Sequence, residues 1–211
     1  MTCPLCTNSQ INHYHTDSRR SYWHCLTCDL VFVDPAQRLT KEQEKAIYDL
    51  HENAPEDLGY RRFLNKLLIP LQHKLADKAH GLDFGCGPGP TVSLIMHNQG
   101  FTMSNYDLFY YPDSKALTKS YDFITCTEVI EHLHKPHVEF DLLDQLLKPG
   151  GILGIMTKRV LNRDAFSKWH YKNDQTHVCF YSEITFQWIA NRWGYEFEFP
   201  GNDTVLLTKK A

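Results

Sequence analysis

The sequence predicts an α/β fold in which strands and helices alternate from about residue 80, preceded by a small cysteine-rich module. Two observations support this prediction: two Cys-x-x-Cys pairs within the first 28 residues, and a strand, glycine-rich turn, helix and second strand that begin at Gly81. The chain has 211 residues, of which 42% are hydrophobic and 13% aromatic. This composition allows one ordinary domain plus a small module, and it excludes a disordered or fibrous chain.

The charge and the hydropathy pattern narrow the classes of partner. With 22 Lys and Arg against 25 Asp and Glu, the formal net charge is −3, which disfavours nonspecific binding to nucleic acid. No apolar run reaches the roughly 18 residues that a membrane span needs, and the first residues lack the pattern of a secretory signal. We therefore expect a cytoplasmic globular protein that does not bind membranes.

The N-terminal module contains the pattern of a metal site. Cys3, Cys6, Cys25 and Cys28 form two identical Cys-x-x-Cys pairs that are separated by 18 residues. This spacing is typical of a tetrahedral Zn²⁺ site, and four thiolates leave no position for a substrate, so the zinc is expected to be structural. The sequence thus predicts a zinc ribbon over residues 1–38, with four buried free cysteines as the alternative interpretation.

Residues 39–79 are predicted to form a helical cap between the ribbon and the α/β domain. A capping box at Thr40 begins a helix that we expect to extend to about Asn53. Leucines then recur at helical spacing over residues 58–79, where Pro70 predicts a kink or a break. We expect this segment to cover the mouth of a site in the following domain.

The segment 80–211 begins with the pattern that places a ligand against a parallel sheet. A strand that ends at Phe84 runs into the turn Gly85-Cys-Gly-Pro-Gly89, a helix follows, and a second strand ends at Asp107. The glycines allow a sharp turn and a close ligand, while the N-terminus of the helix attracts an anion. An acid at the end of the second strand is where a dinucleotide-type fold binds ribose. A strand, turn and helix without a ligand is the alternative.

The order Gly-x-Gly-x-Gly resembles motif I of the class I S-adenosylmethionine (SAM) methyltransferases, and the resemblance extends over about residues 80–210. It includes Lys148-Pro-Gly-Gly151 before the fifth strand and an antiparallel hairpin at the C-terminus. The resemblance implies a Rossmann-like class I methyltransferase sheet with strand order 3-2-1-4-5-7-6. Only 14 residues separate Asp107 from Asp122, too few for a helix and a further strand. We therefore expect the third strand to be missing.

The resemblance also implies which residues bind SAM. In that family the glycine turn holds the amino-acid end of SAM, and the acid after the second strand binds both ribose hydroxyls. Carried onto this sequence, the SAM-binding residues are Asp83, Gly85, Cys86, Gly87, Gly89, Asp107, Leu108, Phe109 and Thr127. Leu108 and Phe109 are the candidates for covering the adenine, and a role in the core is equally compatible with the sequence.

A second motif resembles small-molecule O- and C-methyltransferases, especially those of ubiquinone biosynthesis. It is the segment TEVIEHLHKP, which begins at Thr127. In that group acids of this segment are associated with a divalent ion, which implies Mg²⁺ bound by Glu128, Glu131 and His132, or His132 as a catalytic base. Alternatively, Glu131 caps the next helix and His132 packs against the methionine end of SAM. His177, in an aromatic-rich segment, is a further candidate for acid–base catalysis or a structural histidine.

These residues predict a SAM-dependent methyltransferase that transfers a methyl group to a small-molecule acceptor by in-line displacement. The acceptor and the oligomeric state stay open at this point. One alternative is an RNA or protein methyltransferase that uses the zinc ribbon for recognition. Another is a non-catalytic SAM-binding or zinc scaffold protein. Five basic against six acidic side chains in residues 1–50 leave no basic patch, which favours the small-molecule acceptor over a nucleic acid.

Overall fold

The structure is a computed structural model that describes residues 1–50 and 54–211. Its strands are β1 (Ile11–Thr16), β2 (Ser21–Cys25), β3 (Val31–Val33), β4 (His80–Phe84), β5 (Thr102–Tyr106), β6 (Tyr121–Thr127), β7 (Leu147–Met156), β8 (Cys179–Phe180), β9 (Tyr195–Gly201) and β10 (Thr204–Lys209). Its α-helices are α1 (Lys41–Tyr48), α2 (Leu58–Gln72), α3 (Thr91–Asn98), α4 (Pro136–Leu146), α5 (Arg163–Ser167) and α6 (Glu183–Trp193).

The larger of the two sheets has six strands in the order β5-β4-β6-β7-β10-β9. Strands β5, β4, β6 and β7 are parallel, whereas β10 runs antiparallel to both of its neighbours. This is the predicted order without its third strand, so the predicted fold class is confirmed. Within the described residues, a single 3₁₀ helix, Ser114–Thr118, occupies the place of the missing strand and its connection. Strand β5 is therefore an edge of the sheet.

Both faces of this sheet are covered, as its parallel strands require. In β6, Phe123 packs in a core cluster with leucines of α2 and with Met96 of α3. Its neighbour Ile124 points to the opposite face, in the cluster that contains Phe140 of α4 and Phe186 of α6. The alternation follows from the two-residue period of a strand. Helices on both faces leave the carboxyl ends of the strands free to form a site.

The segment 39–79 contains two helices, and its first helix begins where the sequence predicts, whereas the second helix ends earlier than expected. The capping box is present, because Thr40 and Gln43 exchange hydrogen bonds between side chain and backbone. Helix α1 ends at Tyr48, and the predicted end at Asn53 lies outside the described residues. Helix α2 stops at Gln72, not at residue 79 as expected, because the chain must turn back to enter β4. Pro70 lies within the last turn of α2 and does not break it.

The smaller sheet joins the N-terminal module to the α/β part of the chain. Its order is β1-β2-β3-β8, in which Val31 and Phe32 of β3 pair with Phe180 and Cys179 of β8. A strand from the C-terminal half thus completes the cysteine-rich sheet. The predicted domain boundaries at residues 38 and 79 stay predictions. In the described part of the chain, no helix has the length and apolar surface that crossing a bilayer requires.

Candidate active site and cysteine cluster

A cavity of about 690 Å³ opens at the carboxyl ends of β4, β5 and β6. Side chains from α1, α2 and α4 form its other walls. All the residues predicted to bind SAM line this one cavity: Asp83, Gly85, Cys86, Gly87, Gly89, Asp107, Leu108, Phe109 and Thr127. Of the four predicted catalytic residues, Glu128, His132 and His177 also line it, whereas Glu131 is fully buried beneath them.

The glycine turn has the backbone conformation that its sequence predicts. Gly85 and Gly87 adopt φ of +77° and +63°, which is the left-handed region that favours glycine. A Cβ atom at Gly85 would lie 2.5 Å from Cγ2 of Val129, so the turn packs closely on the chain that follows β6. Helix α3 begins directly after the turn, and no side chain caps its N-terminus. Its first turn is therefore suited to an anionic group.

Asp107 organises the backbone around the cavity. Its Oδ2 accepts a hydrogen bond from the Gly87 N–H at 3.1 Å, and its Oδ1 accepts from the N–H groups of Phe109 at 2.8 Å and Tyr110 at 3.0 Å. One carboxylate thus ties the glycine turn to the segment after β5. Of the two predicted adenine-covering residues, Leu108 is 54% exposed, and Phe109 packs against Tyr48 of α1 at 5.9 Å between ring centroids.

Asp83 lies at the floor of the cavity, with only 1% of its surface exposed. The hydroxyl of Thr125 donates a hydrogen bond to its Oδ1 at 2.8 Å. Burial raises the pKa of Asp83 to about 7, and the negative charge of Asp107 adds to this effect, while the Thr125 bond opposes it. Burial also raises the pKa of the Cys86 thiol, which favours its neutral form. The floor of the cavity therefore carries groups whose charge is suppressed near neutral pH.

Two glutamates and a tyrosine form the opposite end of the site. The hydroxyl of Tyr171 lies 3.1 Å from Oε2 of Glu128 and also within hydrogen-bond distance of Oε1 of Glu131. Burial raises the pKa of Glu128 to about 7; burial, and then the charge of Glu128, raise the pKa of Glu131 to about 8. Both shifts favour the protonated form of the pair, because burial disfavours two adjacent negative charges. Glu128 has φ of +52°, a strained conformation for this residue type.

His132 and His177 come together although 44 residues separate them in the sequence. Their rings are T-shaped at 4.7 Å between centroids. Nδ1 of His132 lies 3.2 Å from the carbonyl oxygen of Thr176, and Nδ1 of His177 lies 2.8 Å from that of Tyr171. Because a carbonyl oxygen only accepts hydrogen bonds, both Nδ1 atoms carry protons. The orientation of both imidazoles is thus fixed by the backbone of residues 171–176.

The structure groups the candidate metal ligands differently from the sequence. Ligand atoms of Glu131, His132 and His177 lie within 4.8 Å of one another, so His177 takes the place that was expected for Glu128. Among the described residues, Oε2 of Glu131 is a buried oxygen without a hydrogen-bond partner. The alternative in which Glu131 caps the next helix is wrong, because α4 begins at Pro136 and no side chain caps it.

Several lining residues were missed by sequence reasoning. Glu44 and Tyr48 of α1 and Tyr60 and Phe63 of α2 contribute to the wall opposite the sheet. For α1 the sequence contained a usable pattern, because Glu44 and Tyr48 are four residues apart and therefore lie on one face of the helix. Nothing local indicated that the hydroxyl of Tyr171 contacts Glu128 and Glu131, because the contact joins segments about 40 residues apart.

The four cysteines meet at one end of the small sheet. The sulfur atoms of Cys3 and Cys28 are 3.5 Å apart, those of Cys6 and Cys25 are 3.4 Å apart, and none of them is in a disulfide. The two pairs make the same turn: the N–H of Thr7 donates to the Cys3 carbonyl, and that of Asp29 donates to the Cys25 carbonyl. Both residues have φ near +60°, at 60° and 62°. A tetrahedral zinc with Zn–S bonds of about 2.3 Å fits sulfurs spaced in this way.

The sheet order and the site after the glycine turn define the class I methyltransferase architecture. The model of the protein family described as "Methyltransferase domain" matches residues 56–198, which is more than half of the chain. The chain therefore belongs to this family of methyltransferase domains. The match includes α2, which the sequence prediction had placed before the domain. None of the curated proteins compared with this sequence matches it.

Solved structures share the fold at low sequence identity. A 1,6-didemethyltoxoflavin-N1-methyltransferase from Burkholderia thailandensis, solved with 1,6-didemethyltoxoflavin and S-adenosylhomocysteine (SAH), superimposes with a TM-score of 0.54 at 14% identity, covering 95% of this chain and 100% of that one. A Pyrococcus horikoshii protein gives 0.56 at 15% identity, covering 79% and 99%. An O-methyltransferase family protein from Burkholderia thailandensis gives 0.53 at 13% identity, covering 80% of this chain and 63% of its own. The chain thus spans less than two thirds of that last protein.

Proposed function

We propose that this protein transfers the methyl group of SAM to a small-molecule acceptor bound beside Glu128, His132 and His177. The observation that supports the proposal most directly is that the predicted SAM-binding residues and these three side chains line the same cavity. In a methyl transfer, the donor and the acceptor must lie in line within one water-excluding space. One continuous cavity with two chemically different ends meets that requirement.

The end near the glycine turn is suited to the donor. The uncapped N-terminus of α3 and the backbone of Gly87 would bind the carboxylate of SAM. Asp107 already accepts three backbone hydrogen bonds, and its remaining acceptor capacity would bind the ribose hydroxyls. Phe109, held against α1, would contact the adenine.

The other end is suited to the acceptor. Transfer forms a bond from the attacking atom to the methyl carbon, breaks the bond from carbon to sulfur and leaves SAH. An attacking hydroxyl or amine must also lose a proton. His132 and His177 have fixed rings at this end, and burial raises the pKa values of Glu128 and Glu131, which makes these carboxylates more basic. A histidine or the glutamate pair would therefore be placed to accept that proton.

The charge of the cavity supports a small acceptor over a polyanion. Its described lining includes six acidic residues and no lysine or arginine; the acids are Glu44, Asp83, Asp107, Glu128, Glu139 and Asp174. Although burial suppresses the charge of Asp83 and Glu128, this lining offers an RNA phosphate no lysine or arginine to pair with, whereas a cationic donor and a neutral or amine acceptor need none. The methyltransferase family disfavours a purely structural role for the chain.

Two metal sites belong to the proposal. Cys3, Cys6, Cys25 and Cys28 would hold a structural zinc, which would supply folding energy to a module too small for a large core. As the alternative to accepting the proton, Glu131, His132 and His177 would hold a divalent ion, and the unpartnered buried Oε2 of Glu131 fits a ligand role. Two imidazoles and one carboxylate favour a transition metal over the expected Mg²⁺, which prefers oxygen ligands. Such an ion would lower the pKa of an acceptor hydroxyl.

Calorimetry and a turnover screen test the proposal. We expect SAH to bind the purified protein with one site per chain, and we expect SAH to be released when SAM is incubated with small hydroxyl or amine acceptors, singly or in pools, with and without added Mn²⁺ or Zn²⁺. The control variant Asp113→Ala removes an acid outside the cavity and should leave SAH binding unchanged. Absence of SAH binding would refute the site; turnover of RNA in place of small molecules would refute the acceptor class.

A further inference from the structure

Arg20 is a buried cation in the turn between β1 and β2, and no part of the proposed reaction uses it. Only 5% of its surface is exposed. The turn itself is fixed by Asp17, whose Oδ1 accepts from the N–H groups of Arg19 at 2.8 Å and Arg20 at 2.9 Å. The Arg20 guanidinium lies over the ring of Tyr22, with 5.5 Å from Cζ to the ring centroid. The backbone of Arg20 is thus fixed by Asp17, and its side chain packs on Tyr22 of β2 in the cysteine-rich sheet.

The guanidinium binds four backbone carbonyl groups of one distant segment. Its Nη1 donates to the carbonyl oxygens of Gln175 at 2.9 Å and His177 at 3.0 Å. Its Nη2 donates to those of Asp174 at 2.9 Å and Lys172. An arginine presents several N–H groups in a rigid fork, so it can fix several carbonyls of a single loop at once. A second contact supports the first, since Nζ of Lys172 donates to Oδ2 of Asp17 at 3.1 Å.

The segment that Arg20 binds is also the one that orients the histidine pair. The carbonyl of Tyr171 receives the Nδ1–H of His177, and the carbonyl of Thr176 receives the Nδ1–H of His132. The side chain of Tyr171 contacts both glutamates. A shift of residues 171–177 would therefore move Tyr171 and His177 and change the hydrogen bonds of His132, Glu128 and Glu131.

We infer that Arg20 is a positioning residue: through the four carbonyls it sets the backbone that orients His132, His177 and Tyr171 at the acceptor end. The inference rests on the proposed function for the role of that end, and it adds a reason for the N-terminal module. The cysteine-rich sheet supplies the rigid base from which one arginine orders a catalytic loop. The donor end, which no atom of Arg20 reaches among the described contacts, should be independent of it.

The test compares Arg20→Gln and Arg20→Lys with the neighbouring variant Arg19→Gln. Arg19 is exposed and donates a single bond of 3.4 Å to the same segment, so it is a matched control for charge and position. Lysine keeps the charge but cannot span four carbonyls. We expect amide hydrogen exchange in residues 170–178 to accelerate at least about tenfold in both Arg20 variants, as loss of charged hydrogen bonds predicts. Exchange in Arg19→Gln should match that of the unmodified protein.

Two further readouts separate positioning from general destabilisation. In ¹⁵N spectra of the histidine rings, we expect the His132 and His177 signals to shift in the Arg20 variants while those of His80 and His97 stay in place. SAH affinity should change less than about twofold in every variant, since the donor end is intact. If Arg20→Gln does not fold, Arg20→Lys provides the same comparison. Unchanged ring signals and unchanged exchange in a folded Arg20 variant would overturn the inference, whereas failure of the unmodified protein to bind SAH would refute the proposed function alone.

Discussion

Replacing Gly85 by alanine tests the close contact on which the donor end of the cavity depends. The new Cβ would lie 2.5 Å from Cγ2 and 2.8 Å from Cγ1 of Val129, which is only 8% exposed and has little room to move. Gly85 also has φ of +77°. Gly87 provides the matched control, because it has φ of +63° and a Cβ there would meet no atom within 4 Å.

The two substitutions share one cost and differ in the other. A left-handed backbone costs an L-residue about 1–2 kcal/mol in either position. Forcing a methyl group into a packed site adds about 1–3 kcal/mol, and this steric cost applies at Gly85 alone. We therefore expect Gly85→Ala to lower the free energy of unfolding by about 2–5 kcal/mol in total and Gly87→Ala by about 1–2 kcal/mol.

Thermal and urea unfolding, measured with saturating zinc, give the comparison directly. For a chain of this size, each kcal/mol shifts the melting temperature by about 2–4 °C, so the two variants should differ by about 2–12 °C. The double variant Gly85→Ala with Val129→Ala removes both close carbon atoms and should recover much of the steric cost as a coupling energy. Equal melting temperatures for the two glycine variants, or a double variant that shows no coupling, would refute the reasoning.

Three further predictions concern separate parts of the molecule. Asp107→Ala removes an acceptor of three backbone bonds along with the proposed ribose ligand, so SAH affinity measured by calorimetry should fall about 100-fold, and a fall also seen in Asp113→Ala would contradict a specific role. Cys25→Ser should abolish binding of one zinc per chain in a metal-content assay, while Cys126→Ala should retain it. Because burial raises the folded pKa of Asp83 to about 7 from a usual value near 4, the folded state holds its proton longer than the unfolded state. Asp83 should therefore contribute a decrease in stability without SAM of up to about 1.4 kcal/mol per unit between about pH 4 and about pH 7. Glu128 and Glu131 contribute in the same direction, so Asp83→Asn should make the slope shallower without abolishing it, and an unchanged slope in this variant would contradict the prediction.

The features that the sequence predicted are those whose chemistry is local. The Cys-x-x-Cys pairs fold into identical turns because each pair needs only its own few residues. The turn from Gly85 to Gly89 and the acid at Asp107 are likewise set by adjacent strands and by backbone conformations that glycine permits. Even the absence of the third strand followed from a count of residues between Asp107 and Asp122.

The features that the sequence did not predict are contacts between distant segments. His177 entered the prediction as an isolated candidate, and its position beside His132 and Glu131 depends on how the chain after β7 returns to the site. The pairing of β3 with β8 and the reach of Arg20 to residues 172–177 have no local pattern. Residue spacing cannot place two segments 150 positions apart, whereas the packing of buried side chains does.

The donor end and the acceptor end of the cavity should respond differently to damage of the N-terminal module, because different contacts hold them. The three hydrogen bonds that Asp107 accepts at the donor end all come from residues 87–110, so loss of the cysteine-rich module should leave them in place. The acceptor end is fixed by one buried guanidinium, two imidazole-to-carbonyl bonds and a tyrosine between two glutamates. All of these contacts except the bond from His177 to Tyr171 join residues 171–177 to separate segments. Because these contacts share the backbone of residues 171–177, they are lost together. We therefore expect damage to the N-terminal sheet to disturb the acceptor end before the donor end, and the module to affect the choice of methyl acceptor more than SAM binding.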